Sequence, residues 1–125
     1  MSTSNSPYSK LASDFSLGKF GEVYGAMADN IRWEIIGEQT LEGKEKVMVQ
    51  CQNIATYFKS LSTDFKIHQT IQENVKVVII GLGEFIREGK TVSKISACDV
   101  YEFDSENKIS SLSSYCIEVF KPKNL

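Results

Sequence analysis

The chain has 125 residues, with 14 basic against 16 acidic side chains and a net charge of -2. That length fits one domain with a real core, about two-thirds of the unfolded surface being buried on folding. The charges are scattered without a basic stripe, which argues against binding nucleic acid or an anionic membrane surface.

Residues 1–6 read as a disordered polar tail, and residues 7–121 as a single domain. Ser6-Pro7 marks a helix start, a capping hydroxyl followed by proline at the first helical position. This helix is expected to run to about Ser13. Asp14 or Ser16 can cap a second helix to about Ala28, with Leu17, Phe20, Tyr24, Met27 and Ala28 at helical spacing. Gly18, Gly21 and Gly25 form an adjacent stripe, each weakening a helix by about 1 kcal/mol relative to alanine. Either that helix frays or another element packs closely on the stripe. Asn30 to Ile36 reads as a strand and Gly37 to Glu42 as a loop. Gly43 opens the strongest helix, to about Ser62, with Val47, Cys51, Ile54, Ala55, Phe58 and Leu61 on its apolar face.

The second half is strand-like. Phe65 to Gln72 alternates with period two. Val75 to Arg87 is apolar on both faces, so both must be covered, and Gly81 and Gly83 in its middle predict a bulge or bend. Glu88-Gly89-Lys90 is a turn, Thr91 to Phe103 a strand, Asp104 to Asn107 a polar turn, and Lys108 to Phe120 the last strand. Helices followed by strands joined through tight turns predict an α+β layout, helices on one side of a twisted antiparallel sheet.

One residue stands out. In Thr91 to Phe103 one face carries Ile95, Ala97, Asp99, Tyr101 and Phe103. A carboxylate among two aliphatic and two aromatic neighbours costs several kcal/mol to bury unpaired. It must find a partner, reach water, or stay protonated with a raised pKa.

No apolar run is long enough to span a bilayer, and the N-terminal residues lack the pattern of a signal peptide. Cys51, Cys98 and Cys116 are odd in number and far apart. They read as small buried hydrophobes in a reducing, cytoplasmic compartment. His68, the only histidine, shares a face with Lys66 and Thr70 and reads as solvent-facing; without a nearby acid pair it makes no metal site.

The order of elements, together with Ala28-Asp29-Asn30-Ile31-Arg32-Trp33-Glu34-Ile35-Ile36-Gly37, Leu41-Glu42-Gly43-Lys44-Glu45-Lys46-Val47, Val75 to Gly89 and Cys98 to Ile109, resembles the nuclear transport factor 2-like superfamily. The closer likeness is to its SnoaL-like and ketosteroid-isomerase-like branch. The resemblance implies a cone, a strongly bent sheet wrapped around helices with an apolar cavity, and a homodimer through the outer sheet face. It implies no cofactor. In ketosteroid isomerases the cavity holds a carboxylate base, a tyrosine and an aspartic acid kept neutral. Asp99 matches that acid and Glu34 the base, while the family's tyrosine has no counterpart in place, Tyr8 standing two residues away. A strand slip of one residue turns Glu34 outward and points Trp33 and Ile35 in.

The resulting candidates are Asp99 and Glu34 as catalytic residues, and Trp33, Tyr57, Phe85, Tyr101, Leu112 and Cys116 as ligand-binding residues. Ser110 to Ser114 is either polar cavity wall or a hydrated edge. The expected function is binding of a small, largely apolar, carbonyl-containing molecule, with proton transfer beside the carbonyl as in isomerases and cyclases. The competing expectation is a non-catalytic binding or dimerisation module with a closed apolar core.

Overall fold

The structure, a computed structural model, describes residues 6–122. Residues 1–5 of the expected tail lie outside the described residues. Helix α1 spans Pro7–Ser16 and begins as its first residues dictate. The Ser6 hydroxyl accepts from the Ser9 amide at 3.0 Å, satisfying one of the donors that a helix start leaves open. The same hydroxyl donates to Gln72, as does that of the buried Ser9, which ties the helix to the sheet.

The expected second helix does not form. Gly18 adopts φ +86°, and the Gly18 and Lys19 amides turn back onto Phe15 and Asp14 carbonyls at 2.9 and 2.8 Å, closing α1. Two single 3-10 turns, Phe20–Glu22 and Tyr24–Ala26, follow instead. Nothing lies within 4 Å of where a Cβ would stand on Gly21 or Gly25. No element therefore packs against Gly21 or Gly25 to offset their helix-weakening effect; of the stripe, only Gly18 has a neighbour, the Phe58 ring, 3.7 Å from where its Cβ would stand. Phe20 and Val23 still reach the core.

Strand β1, Met27–Ile35, alternates so that Ile31 and Trp33 are buried while Arg32 is exposed. The segment read as a loop contains a short strand, β2, Gln39–Glu42, paired antiparallel with β1. Four residues with one half-buried apolar side chain, Leu41, give too little alternation to stand out. Helix α2, Lys44–Lys59, buries Val47 and Cys51 completely. Glu45 in its first turn and Lys59 in its last complement the helix dipole.

Strands β3 (Ser62–Glu73), β4 (Lys76–Arg87), β5 (Lys90–Phe103) and β6 (Ile109–Phe120) complete a six-stranded sheet in the order β2-β1-β6-β5-β4-β3. Neighbours run antiparallel except β1 and β6, which are parallel. The sheet is thus mixed rather than wholly antiparallel. The long connection from β1 through α2 and four strands allows the parallel return.

β3 carries one extra residue against β4: Ile67 faces Gly81 and Gln69 faces Ile80, leaving His68 unopposed. This is a bulge, which bends the strand. Gly81 is required there. A Cβ on it would lie 2.4 Å from the Lys66 carbonyl oxygen and 2.6 Å from the Phe65 ring. The curved, unclosed sheet packs its inner face on the two helices, an α+β cone, with Phe15, Trp33, Val77, Ile79 and Tyr101 central to the core.

Candidate functional site

The pleat of β5 sends Asp99 to the inner face, opposite Ile79 on β4 and Ser114 on β6. The C-terminal end of α1 lies over it. There the Ser16 hydroxyl donates to Asp99 Oδ2 at 2.7 Å and sits 2.6 Å from the Tyr101 hydroxyl. On β1 the Trp33 indole N–H donates to Ser114 Oγ at 2.9 Å. A tyrosine, two serines and a tryptophan from four elements thus gather around one carboxyl group. No buried side-chain polar atom among the described residues lacks a partner.

Burial pushes the Asp99 carboxyl above the usual carboxylate range, while the hydrogen bonds from Ser16 and Ser114 pull it back toward the charged form. Burial, and then the neighbouring Asp99 charge, push the Tyr101 hydroxyl well above its ordinary value. Tyr101 therefore stays neutral and acts through its hydrogen bond.

Beside Asp99 opens a cavity of about 300 Å³, a size suited to a small ligand. Its wall is mainly aromatic and aliphatic, with Phe15, Phe20, Trp33, Phe58, Phe65 and Phe85 supplying six rings. Gly83 and Ala97 keep one side of the wall low. The polar wall groups are Asp99, Ser16, Ser114, Gln50 and Glu38, with the Cys116 thiol; among the described residues no lysine, arginine or histidine takes part. Cys116 is exposed and Cys98 half-buried, so of the three cysteines read as buried hydrophobes only Cys51 is one. The Cys116 thiol at the wall is nonetheless raised to about 11 by its partial desolvation, helped by Asp99 and then Glu38, and stays protonated near neutral pH.

The structure brings Asp99, Trp33, Phe85 and Cys116 together in this wall. Tyr101 lies behind it, fully buried, touching the site through Ser16. Leu112 is also fully buried and belongs to the core beneath, not to the wall. Tyr57 points away from the cavity with 54% of its surface exposed, and Phe58 one residue later takes the wall position. Glu34 is turned to the outer face, 3.6 Å from Arg32 with its side chain 41% exposed. The reason is the β1 register, which pairs Trp33 with the buried Leu112 and aims Trp33 and Ile35 inward. The base role expected for Glu34 therefore has no geometric support.

Ser16, Glu38 and Gln50 were not singled out for the site. Ser16 presented only as a helix cap, and Glu38 stands in the turn before β2. Ser114 belongs to the serine run, whose cavity-wall alternative holds at that one position. His68 is exposed at its bulge. Among the described residues no three His, Cys, Asp or Glu side chains cluster as metal ligands, and no helix is long and apolar enough to cross a membrane.

No protein-family model matches the chain, and no curated protein does. Solved structures do. An NTF2-like protein of unknown function from Cytophaga hutchinsonii is 34% identical over 86% of this chain and 94% of its own, with a TM-score of 0.78. A LEH-like epoxide hydrolase from M. tuberculosis is 19% identical over 86% of this chain and 80% of its own, with a TM-score of 0.67. A protein from Jannaschia sp. CCS1, described as a SnoaL-like polyketide cyclase, is 13% identical over 93% and 89%, with a TM-score of 0.70. The last two share the fold. The first, together with the curved sheet, the helices on its inner face and the cavity they enclose, shows that this chain belongs to the NTF2-like family.

Proposed function

We propose that the cavity binds a small, largely apolar, carbonyl-containing molecule and moves a proton beside its carbonyl group, as isomerases and cyclases do. The observation that carries this reading is the place of Asp99, a desolvated carboxyl in the wall of an apolar cavity, held by hydroxyl groups. A carboxyl with a raised pKa is closer to the working range of an acid–base catalyst. Asp99 is the acid–base group of the proposal, and Glu34 has no part in it. The ring-lined wall supplies binding energy by removing apolar ligand surface from water. A closed, non-catalytic core is the weaker reading, since it leaves a cavity of about 300 Å³ and a buried carboxyl without use.

The proposal includes a homodimer through the outer sheet face, where Ile71, Tyr115 and Ile117 stand exposed. It also places the protein in the cytoplasm, in keeping with three free cysteines.

The test is to titrate small cyclic ketones and enones while following thermal stability, then to record hydrogen–deuterium exchange beside the carbonyl by proton NMR. Saturating ligand should raise the melting temperature, by the equivalent of about 2.7 kcal/mol at a hundredfold excess over Kd. Exchange should fall on the order of 10²-fold or more in Asp99→Asn. Absence of binding across the series would sink the reading.

A further inference from the structure

A second space lies against the aromatic wall of the cavity. It is a hollow of about 110 Å³ between the ends of α1 and α2 and the strands β3 and β4. Ser16, Phe58, Phe65, Gly83 and Phe85 line both spaces, so only side chains stand between them. Leu17 and Thr63 line the hollow and not the larger cavity. Two carboxyl groups also border the hollow, and both are already partnered. Asp64 lies 3.9 Å from the Lys66 ammonium, and Glu84 accepts from the Thr91 hydroxyl. The apolar side chains therefore set what the hollow can take.

The partition between the two spaces is thin. Cross-strand pairing sets Phe65 opposite Gly83 and Thr63 opposite Phe85. Gly83 thus stands at the junction and contributes no side chain. A Cβ on it would come 3.4 Å from the Phe65 ring and 3.9 Å from the Phe85 ring, so a larger residue would fill the gap. Phe58, Phe65 and Phe85 are half-buried, and the Phe58 and Phe85 rings meet at 39° with centroids 5.8 Å apart. Turning such a ring is a side-chain motion of the kind that commonly accompanies binding.

We propose that the hollow is a side chamber of the ligand site, and that the ligand is a ketone with an unbranched alkyl tail that runs past Gly83 into it. The inference rests on the function proposed above and deepens it. The carbonyl end stays beside Asp99, while the tail lies among Leu17, Phe58 and Phe85. Three rings narrow the junction, which selects a linear chain. At about 30 Å³ for a water-sized group, the chamber has room for roughly four carbon atoms beyond the junction. Each methylene that enters leaves water for an apolar lining and tightens binding.

The experiment measures Kd by calorimetry for 2-alkylcyclopentanones from methyl to hexyl, in wild type and in Thr63→Phe. Affinity should rise by up to about fourfold per methylene, so that the hexyl compound binds more than about tenfold tighter than the methyl one. A longer chain also clings better to any apolar surface, and Thr63→Phe separates the two causes. The added ring occupies the side chamber and suits a strand. There the ratio of hexyl to methyl affinity should fall toward one. A flat series in wild type overturns the proposal, as does an undiminished ratio in Thr63→Phe. Should the variant fail to fold, nuclear Overhauser contacts from the terminal methyl of the hexyl compound in wild type decide instead. Contacts with the Leu17 methyl groups support the side chamber, and contacts confined to Ile95 and Ile54 in the main cavity overturn it. The two readings fail distinguishably. Binding of the methyl compound without a gain along the series removes the side chamber and leaves the ketone reading, whereas no binding at any chain length removes both.

Discussion

Ser16 and Asp99 are 83 positions apart in the chain and 2.7 Å apart in the fold. The contact exists because the turn at Gly18 closes α1 just after Ser16, which leaves Ser16 in the last helical turn, facing the inner side of β5. It joins the helical half of the chain to the strand half at the one carboxyl in the cavity that is surrounded by hydroxyl donors.

The first consequence is a pH-dependent stability. Burial raises the Asp99 carboxyl above its ordinary value of 3.8, so over the interval above that value the folded protein binds more protons than the unfolded chain. Stability from this group is greatest at low pH and declines as pH rises through the folded-state value. Each tenfold difference in proton affinity is worth about 1.4 kcal/mol. Asp99→Asn should remove that decline. Urea unfolding of both proteins at a series of pH values measures it, and equal slopes would count against a desolvated Asp99.

Glu34→Gln should leave both stability and any cavity activity nearly unchanged. Its exposed pairing with Arg32 at 3.6 Å is of a kind worth about 0–1 kcal/mol. A kinetic or binding loss comparable to that of Asp99→Asn would restore Glu34 to the site.

The two glycines of β4 should respond differently. Gly81→Ala drives a Cβ into the Lys66 carbonyl at 2.4 Å, a backbone clash at the bulge, and should cost about 1–3 kcal/mol or more. Gly83→Ala places its Cβ 3.4 Å from the Phe65 ring, an ordinary contact, at the cavity wall. It should keep the fold while weakening binding of the larger ligands. Thermal melts and ligand titrations of the pair check both statements.

The cysteines should react in an order set by their surroundings. Burial holds the Cys51 thiol at about 12 and its side chain is inaccessible, so it should resist alkylation until the protein unfolds. Cys116, at about 11, exposes roughly one thiolate in ten thousand at neutral pH and should react slowly, faster as pH rises. A ligand in the cavity should protect it. Mass spectrometry after timed iodoacetamide treatment gives the order, and a fast Cys116 unaffected by ligand would contradict its place in the wall.

Ile117 is 66% exposed on the outer face of β6, opposite Ser96. If that face joins two copies, Ile117→Lys should shift sedimentation from dimer to monomer and leave the melting temperature at high dilution unchanged. A wild-type monomer at all concentrations would remove the dimer from the proposal.

Periodicity carried most of the architecture. The alternation in Thr91 to Phe103 places Asp99 on the buried side, because a strand has only two faces and Ile95, Ala97, Tyr101 and Phe103 share that of Asp99. The apolar stripe of α2 and the proline start of α1 were legible for the same reason, since local pattern and final burial agree there. The stretch from Leu17 to Ala28 was not, because apolar spacing and glycine content pull in opposite directions, and the balance between them depends on whether a neighbour packs against the glycines. None does at Gly21 or Gly25.

What the amino-acid order determined by itself is that Asp99 is a carboxyl forced inward. Which groups meet it was decided by tertiary structure alone. Ser16, Tyr101, Ser114 and Trp33 converge through contacts between α1, β5, β6 and β1. The choice between Glu34 and Trp33 on β1 turned on a register of one residue, set by pairing with β6 across more than seventy positions of chain. Register and long-range pairing come from packing the whole sheet against its helices. A strand read on its own has both faces available and no partner to choose between them.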